Sequence, residues 1–293
     1  MTVSDVHSVE PATPDGQLSV IRRIVFAKPA TTIAIGVIFL YLLLAFLAPW
    51  IAPYDPLAQD YDAISAYPSA AHWLGTDQYG RDILSRLIYG SQNSLILGLI
   101  APALAAVIGT SLGIAAGYFG GWIDRIVTRV IDLLLSFPEL LLAIIVAAAL
   151  GGGFWNVVIV LTIAFVPGFA RVARASTLAV KEEPYVEAAR SIGVRVPIIL
   201  VRHVLPNISA SIVLLLTLWV ASAIRLEAAL SFLGIGTQPP SPSWGNIIRD
   251  GLGNIFGTPW PIIGAGCAIT IIVLAFNILG DTVRDVLDPE AAE

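Results

Sequence analysis

Apolar residues run through this chain in long unbroken stretches separated by shorter polar ones, and the lengths of those stretches set the expected architecture. Ala30 to Ile51 holds 22 residues without a charge. At about 1.5 Å per helical residue such a run crosses a hydrocarbon layer of about 30 Å. It is predicted as the first transmembrane helix, closed by Pro49, Trp50 and Pro53. Ser91 to Phe119 is a second uncharged run, in which Gly109, Gly113 and Gly117 recur at four-residue spacing and offer a face that lets another helix come close. Trp122 to Leu135 is amphipathic, with Asp124, Arg125, Arg129 and Asp132. Ser136-Phe-Pro-Glu139 then fits a capping box, Ser136 as N-cap, ahead of the apolar Leu140 to Leu150. Together these predict a third helix, broken near its start. Gly151 to Gly153 turn the chain. Phe154 to Ala170, with Pro167 near its exit, Asn207 to Ile224 and Ile262 to Leu279 complete six spans.

The polar segments between these runs differ in character. Residues 1–29 read as a polar tail followed by a short amphipathic stretch, Leu18 to Lys28, whose Arg22, Arg23 and Lys28 suit a membrane surface. Residues 52–90 form a long acidic segment, with Asp55, Asp60, Asp62, Asp77 and Asp82 against Arg81 and Arg86. Residues 225–261 are rich in Pro and Gly, with Trp244 and Trp260 expected at the membrane interface. The most polar interruption is 181–206, preceded by Arg171 and Arg174. In it Pro184 suits a first helical turn, Glu182 and Glu183 favour that helix's positive end, and Gly193 is a left-handed stop. Pro197 starts a second short helix ending near Leu205-Pro206. Two short helices are expected, with Tyr185, Val186, Ile192 and Val194 available for packing into a partner's groove. A solvated loop is the plainer alternative.

Composition agrees with a chain whose main solvent is lipid. Of 293 residues, 57% are hydrophobic and 13% charged, against about 25% charged in soluble domains. The fold class expected is all-α integral membrane. The net charge of −5 says little about partners, because sidedness outweighs the sum. With the N-terminus inside, twelve of the sixteen cations fall on inside segments and four outside. Both termini and the 171–206 loop are therefore expected in the cytoplasm. A single cysteine, Cys267, rules out an intramolecular disulfide framework and reads as a small buried hydrophobe.

Several catalytic patterns fail on context. Gly109-Thr-Ser111-Leu-Gly113 has the spacing of a nucleophile elbow, but that motif needs a strand-to-helix turn, and helix packing explains it better here. His7, His72 and His203 lie in separate segments without metal-type spacing, so no catalytic or metal residue and no cofactor is expected. No G-x-x-x-x-G-K-[ST] occurs, and Gly251-Leu-Gly253 does not extend to a dinucleotide fingerprint, since Phe256 follows. The chain thus lacks the usual loop for binding ATP. Glu139 and Glu227 border apolar stretches, where an acid is a functional candidate. Glu139 is also explained by capping, and Arg225 with Glu227 by an interfacial pair. Asp77, Arg81 and Asp82 fit either a loop network or contacts to a neighbouring protein.

Three motifs resemble one family. Glu187-Ala188-Ala189, Gly193 and Leu205-Pro206 match the EAA loop, EAA-x3-G-x9-I-x-LP, of importer-type ABC transporter permeases, with His203 at the Ile position. The form His203-Val-Leu-Pro-Asn207 is similar to the peptide and nickel subgroup. His72-Trp-Leu-Gly-Thr-Asp-Gln-Tyr-Gly-Arg-Asp82 with Ser85-Arg86, and Leu230-Ser-Phe-Leu-Gly-Ile-Gly236 through Gln238-Pro-Pro and Ser243-Trp-Gly245, resemble signatures of its C-type subunits. Gln92 stands where the family commonly has Arg, and the tail reads Asp288-Pro-Glu rather than Asp-Pro-Arg.

The resemblance implies a type I ABC importer permease fold: first helix and extracytoplasmic segment over 30–90, a five-helix core over 91–282 and a cytoplasmic tail over 283–293. It implies that Tyr185, Glu187, Ala188, Ala189, Gly193, His203, Leu205 and Pro206 form the element that couples to an ATPase. The partners implied are a homologous permease subunit, two ABC ATPase subunits or domains, an extracytoplasmic substrate-binding protein and membrane lipid, with no nucleic acid. Di- or oligopeptides are the expected cargo, and nickel is the alternative. A self-sufficient secondary transporter or channel is the competing class. It predicts coupling acids or broken helices in both halves of an internal repeat, and no convincing repeat is visible.

Overall fold

A computed structural model describes residues 28–287. The amphipathic stretch around Arg22 and Arg23 and the tail at Asp288 lie outside the described residues. Those residues form no strand, only one isolated bridge between Thr76 and Asp82. Helix α1 runs Pro29–Phe46, and the short α2, Ala48–Ile51, follows after Leu47. The single expected helix is interrupted because Pro49 has no N–H for the carbonyl of Ala45. Gln92 supplies the missing donor, its Nε2 lying 2.7 Å from that carbonyl oxygen.

Helix α3, Ile83–Phe119, starts eight residues before the uncharged run, because Asp82 caps it by accepting from the Ser85 amide at 2.8 Å. Helices α4, Gly121–Leu135, and α5, Glu139–Leu150, meet at 96°. The capping box expected at Ser136 does not form. Ser136 Oγ donates back to the Leu133 carbonyl at 2.6 Å, and Pro138 is the N-cap of α5, with no side-chain cap bond. Helix α6 extends over Phe154–Val180, ten residues past its apolar run. Arg171 and Arg174 are thus helical rather than part of the loop, and they pair with Asp132, at 3.0 Å, and Asp124 on α4.

Next come α7, Pro184–Ser191, and α8, Val196–Ile199. A π-turn over Leu200–Val204 then leads into α9, Leu205–Phe232. Helix α10, Trp244–Leu252, is held by a capping box between Ser243 and Asn246, and α11 covers Trp260–Leu287. Among the described residues, five helices are long and apolar enough to cross a membrane, and the bent α4–α5 pair makes a sixth if counted as one span.

The centre of the bundle is α3 packed on α6. A Cβ on Gly109 would lie 2.6 Å from the Val166 carbonyl oxygen, and one on Gly117 2.9 Å from that of Arg174. Gly113 likewise abuts the backbone at Ala170. Backbone meets backbone along this seam, so any side chain would force the helices apart. Helix α9 closes a third side, with Trp219 edge-on to Phe165 at 4.5 Å. Helix α1 lies outside, touching α3 and α11 through Thr31, Ala34 and Ile38 while Ile33, Phe39 and Phe46 face outward. Two expectations fail. Trp244 is 1% exposed, buried between α3 and α1 rather than interfacial, its Nε1 donating to the Leu87 carbonyl at 3.1 Å. Cys267 is exposed on α11. An apolar residue in a membrane helix has lipid as a second apolar environment besides the protein core.

Candidate functional site

The first element to build is α7 with the turn after it. Pro184 occupies the first turn, where its missing N–H costs nothing, and Glu187 falls in the same turn near the positive end of the helix dipole. The helix stops in a Schellman motif: the Gly193 amide donates to Arg190 at 3.0 Å and the Val194 amide to Ala189 at 3.0 Å. Gly193 has φ +78°, a conformation that favours glycine. The chain reverses within a few residues, which sets α7 and α8 at an angle.

One face of this element is anchored. Val186, Ala189, Ile199, Val204 and Ile208 are buried together, with Ile114, Tyr118 and Val180 from the ends of α3 and α6 packed on them. Arg190 lies over the Tyr118 ring at 5.4 Å, and Lys181 Nζ donates to the Gly117 carbonyl at 3.1 Å. The opposite face is open: Tyr185, Glu187, Ala188 and Gly193 are exposed, and Ile192 is 80% exposed. Of the residues singled out from the sequence, Tyr185 and His203 come together, ring centroids 6.1 Å apart. Ala189 faces inward instead. Leu205 and Pro206 do not end a second helix. They begin α9, joined to α8 through the π-turn, where the Leu205 amide donates to Leu200, five residues back. The wider turn lets Pro206, which has no N–H to donate, continue the helix.

At the other end of the bundle, two polar networks tie segment 52–82 and α10 to the spans. Asp77 Oδ2 accepts from Arg81 Nε at 2.7 Å and lies 3.6 Å from Arg86 Nε. Asp250 Oδ2 lies 3.1 Å from Arg81 Nη2 and 3.5 Å from Arg86 Nη2. His72 Nδ1 is 3.0 Å from Asp82 Oδ1. Deeper in, the fully buried Glu227 accepts from Ser94 Oγ at 2.9 Å and Ser231 Oγ at 2.7 Å, with Thr237 Oγ1 at 3.4 Å. The expected pair of Arg225 with Glu227 is absent. Residues two apart on a helix face different ways, and Arg225 is exposed, donating to Ser222 Oγ at 2.8 Å.

Residues 109–293 match the model of the binding-protein-dependent transport system inner membrane component family. The chain belongs to that family. Residues 16–68 match a second model, the N-terminal TM domain of oligopeptide transport permease C. Among relatives of this inner membrane component, a glutathione transport system permease protein, GsiD, of Pectobacterium atrosepticum is 43% identical over 267 residues, covering 90% of this chain and 89% of the relative. A GsiD of Escherichia coli is 46% identical over 270 residues, 92% and 89% of the two chains. The chain is therefore an ABC importer permease of the peptide and nickel group. An inward-facing MetNI methionine ABC transporter structure aligns with TM-score 0.55 at 20% identity, over 70% of this chain and 97% of that one. A second crystal form gives 0.53 at 20% identity, over 68% and 95%. These two likenesses concern the fold.

Sequence reasoning missed Asp250, the shared acceptor of two arginines, and the hydroxyl ring around Glu227. Asp250 sits in a Pro- and Gly-rich stretch with nothing local to mark it. The hydroxyls come from 94, 231 and 237, which no single window joins. One signal was present: Glu227, an acid three residues before the serine-containing motif that starts at Leu230, in an apolar run.

Proposed function

We propose that this inner-membrane permease forms half of the translocation pathway of a peptide importer and couples to ATP hydrolysis through α7. The observation that carries the reading is the two-sided build of α7. A rigid eight-residue helix is anchored by Val186 and Ala189 while Tyr185, Glu187 and Ala188 stand free on the other side. A short rigid helix transmits a rigid-body rotation that a floppy loop would absorb. The free face is the docking surface for an ATPase subunit, and Gly193, His203, Leu205 and Pro206 set its angle to α9. A homologous permease subunit, a second ATPase subunit and an extracytoplasmic binding protein complete the machine. The distribution of cations supports placing α7 and both termini in the cytoplasm.

The cargo is a short peptide, and the GsiD relatives favour one of glutathione's size and charge. Glutathione is a tripeptide with a free amine and free carboxylates. The decisive variant is Gly193→Pro, since proline cannot adopt the positive φ found there. In the reconstituted transporter it should abolish stimulation of ATP hydrolysis by loaded binding protein, and uptake with it, while membrane insertion persists. Unchanged uptake would refute the coupling role. Uptake of nickel ion without uptake of glutathione or dialanine would refute the peptide cargo.

A further inference from the structure

Two charged residues have no role in the packing just described. Arg225 stands on α9, seven residues, about 10 Å along the axis, before its Phe232 end. Glu139 is the first residue of α5, directly after the 96° break with α4. Both line one cleft of about 290 Å³ with Leu140, Ser222, Leu226 and Ala229. Both are exposed in this chain, and among the described residues Glu139 has no hydrogen-bond or ion-pair partner, while Arg225 donates only to Ser222.

Charges on the helices of a membrane bundle face its interior or a water-filled path, because exposure to hydrocarbon is costly. The cleft holds one charge of each sign, so it is neutral as it stands and asks for no extra charge from a neighbouring subunit. The two groups nevertheless do not close on each other, as no ion pair joins them among the described residues. A fork of guanidinium donors matches a carboxylate, and a free carboxylate matches an ammonium.

We infer that the Glu139–Arg225 cleft is a transient binding site on the translocation path for zwitterionic short peptides, Arg225 taking a peptide carboxylate and Glu139 the amino group. The inference rests on the peptide reading above. Its test uses the whole reconstituted transporter with Cys267→Ser, which removes the native thiol, and Ala229→Cys as reporter. A charged, membrane-impermeant methanethiosulfonate should label position 229 during ATP turnover, and S-methylglutathione or dialanine should slow that labelling several-fold. With Arg225→Gln, labelling should persist and the protection should vanish. A thiol unlabelled in every nucleotide state means that the partner subunit covers the face, and overturns the inference. Protection that is equal with and without Arg225 overturns it too. If Arg225→Gln fails to assemble, Arg225→Lys replaces it: weakened protection supports the site and undiminished protection overturns it. Absence of uptake of either peptide by the wild-type complex is failure of the peptide reading, and the inference falls with it. Uptake without protection is failure of the inference alone.

Discussion

The two ends of this bundle are built on opposite plans. Where segment 52–82 and α10 meet the spans, charge is buried and answered within the chain: Asp77 and Asp250 between them hold Arg81 and Arg86, and three hydroxyls surround Glu227. At the α7 end, a small apolar cluster holds one face while the charged side chains Glu187 and Arg190 lie exposed. Buried ionic groups are costly to break, so the first end is fixed by its own residues. An exposed face on a rigid anchor is completed by whatever docks there. One end stores rigidity, and the other leaves an interface open.

This contrast can be broken from either side. The largest effect on stability is expected from Asp77→Ala, which leaves two buried arginines with a single acceptor and should cost about 3–5 kcal/mol in the denaturant unfolding of the purified complex. A loss under 1 kcal/mol, or about one, would mean that water rather than the chain compensates those arginines. Glu227→Ala should cost less, about 1.5–3 kcal/mol, by removing the acceptor of buried hydroxyls. Glu227→Gln should recover most of that loss, since the amide oxygen still accepts. If Gln proves as damaging as Ala, the site needs charge rather than an acceptor. Smallest of all is Glu187→Ala, expected to stay within about 0.5 kcal/mol of wild type in the same unfolding measurement. Its effect should appear in function instead, as reduced uptake per ATP hydrolysed. A large stability loss there would remove the distinction between the two ends.

What the sequence determined by itself follows from local physics. The length of an apolar run fixes a span, because a helix satisfies its own backbone hydrogen bonds and needs no distant partner in lipid. Pro184 and Gly193 likewise bound α7 by φ preference alone, and both are found where that preference places them. Helix limits set by charge were less legible. Read by charge, the second span begins at Ser91 and the fifth ends at Ile224, short of Arg86 and of Arg225 and Glu227, whereas the helices themselves run Ile83–Phe119 and Leu205–Phe232. Whether a charge ends a helix or enters the core depends on what answers it, and the answers come from far along the chain. Asp250 meets Arg86 across 164 positions, and Ser94 meets Glu227 across 133. Gln92, a mere departure from the family pattern when read in order, donates to the carbonyl that Pro49 leaves free. Only the packing of the helices decided these pairings, because the free energy of a buried polar group belongs to its partner as much as to itself.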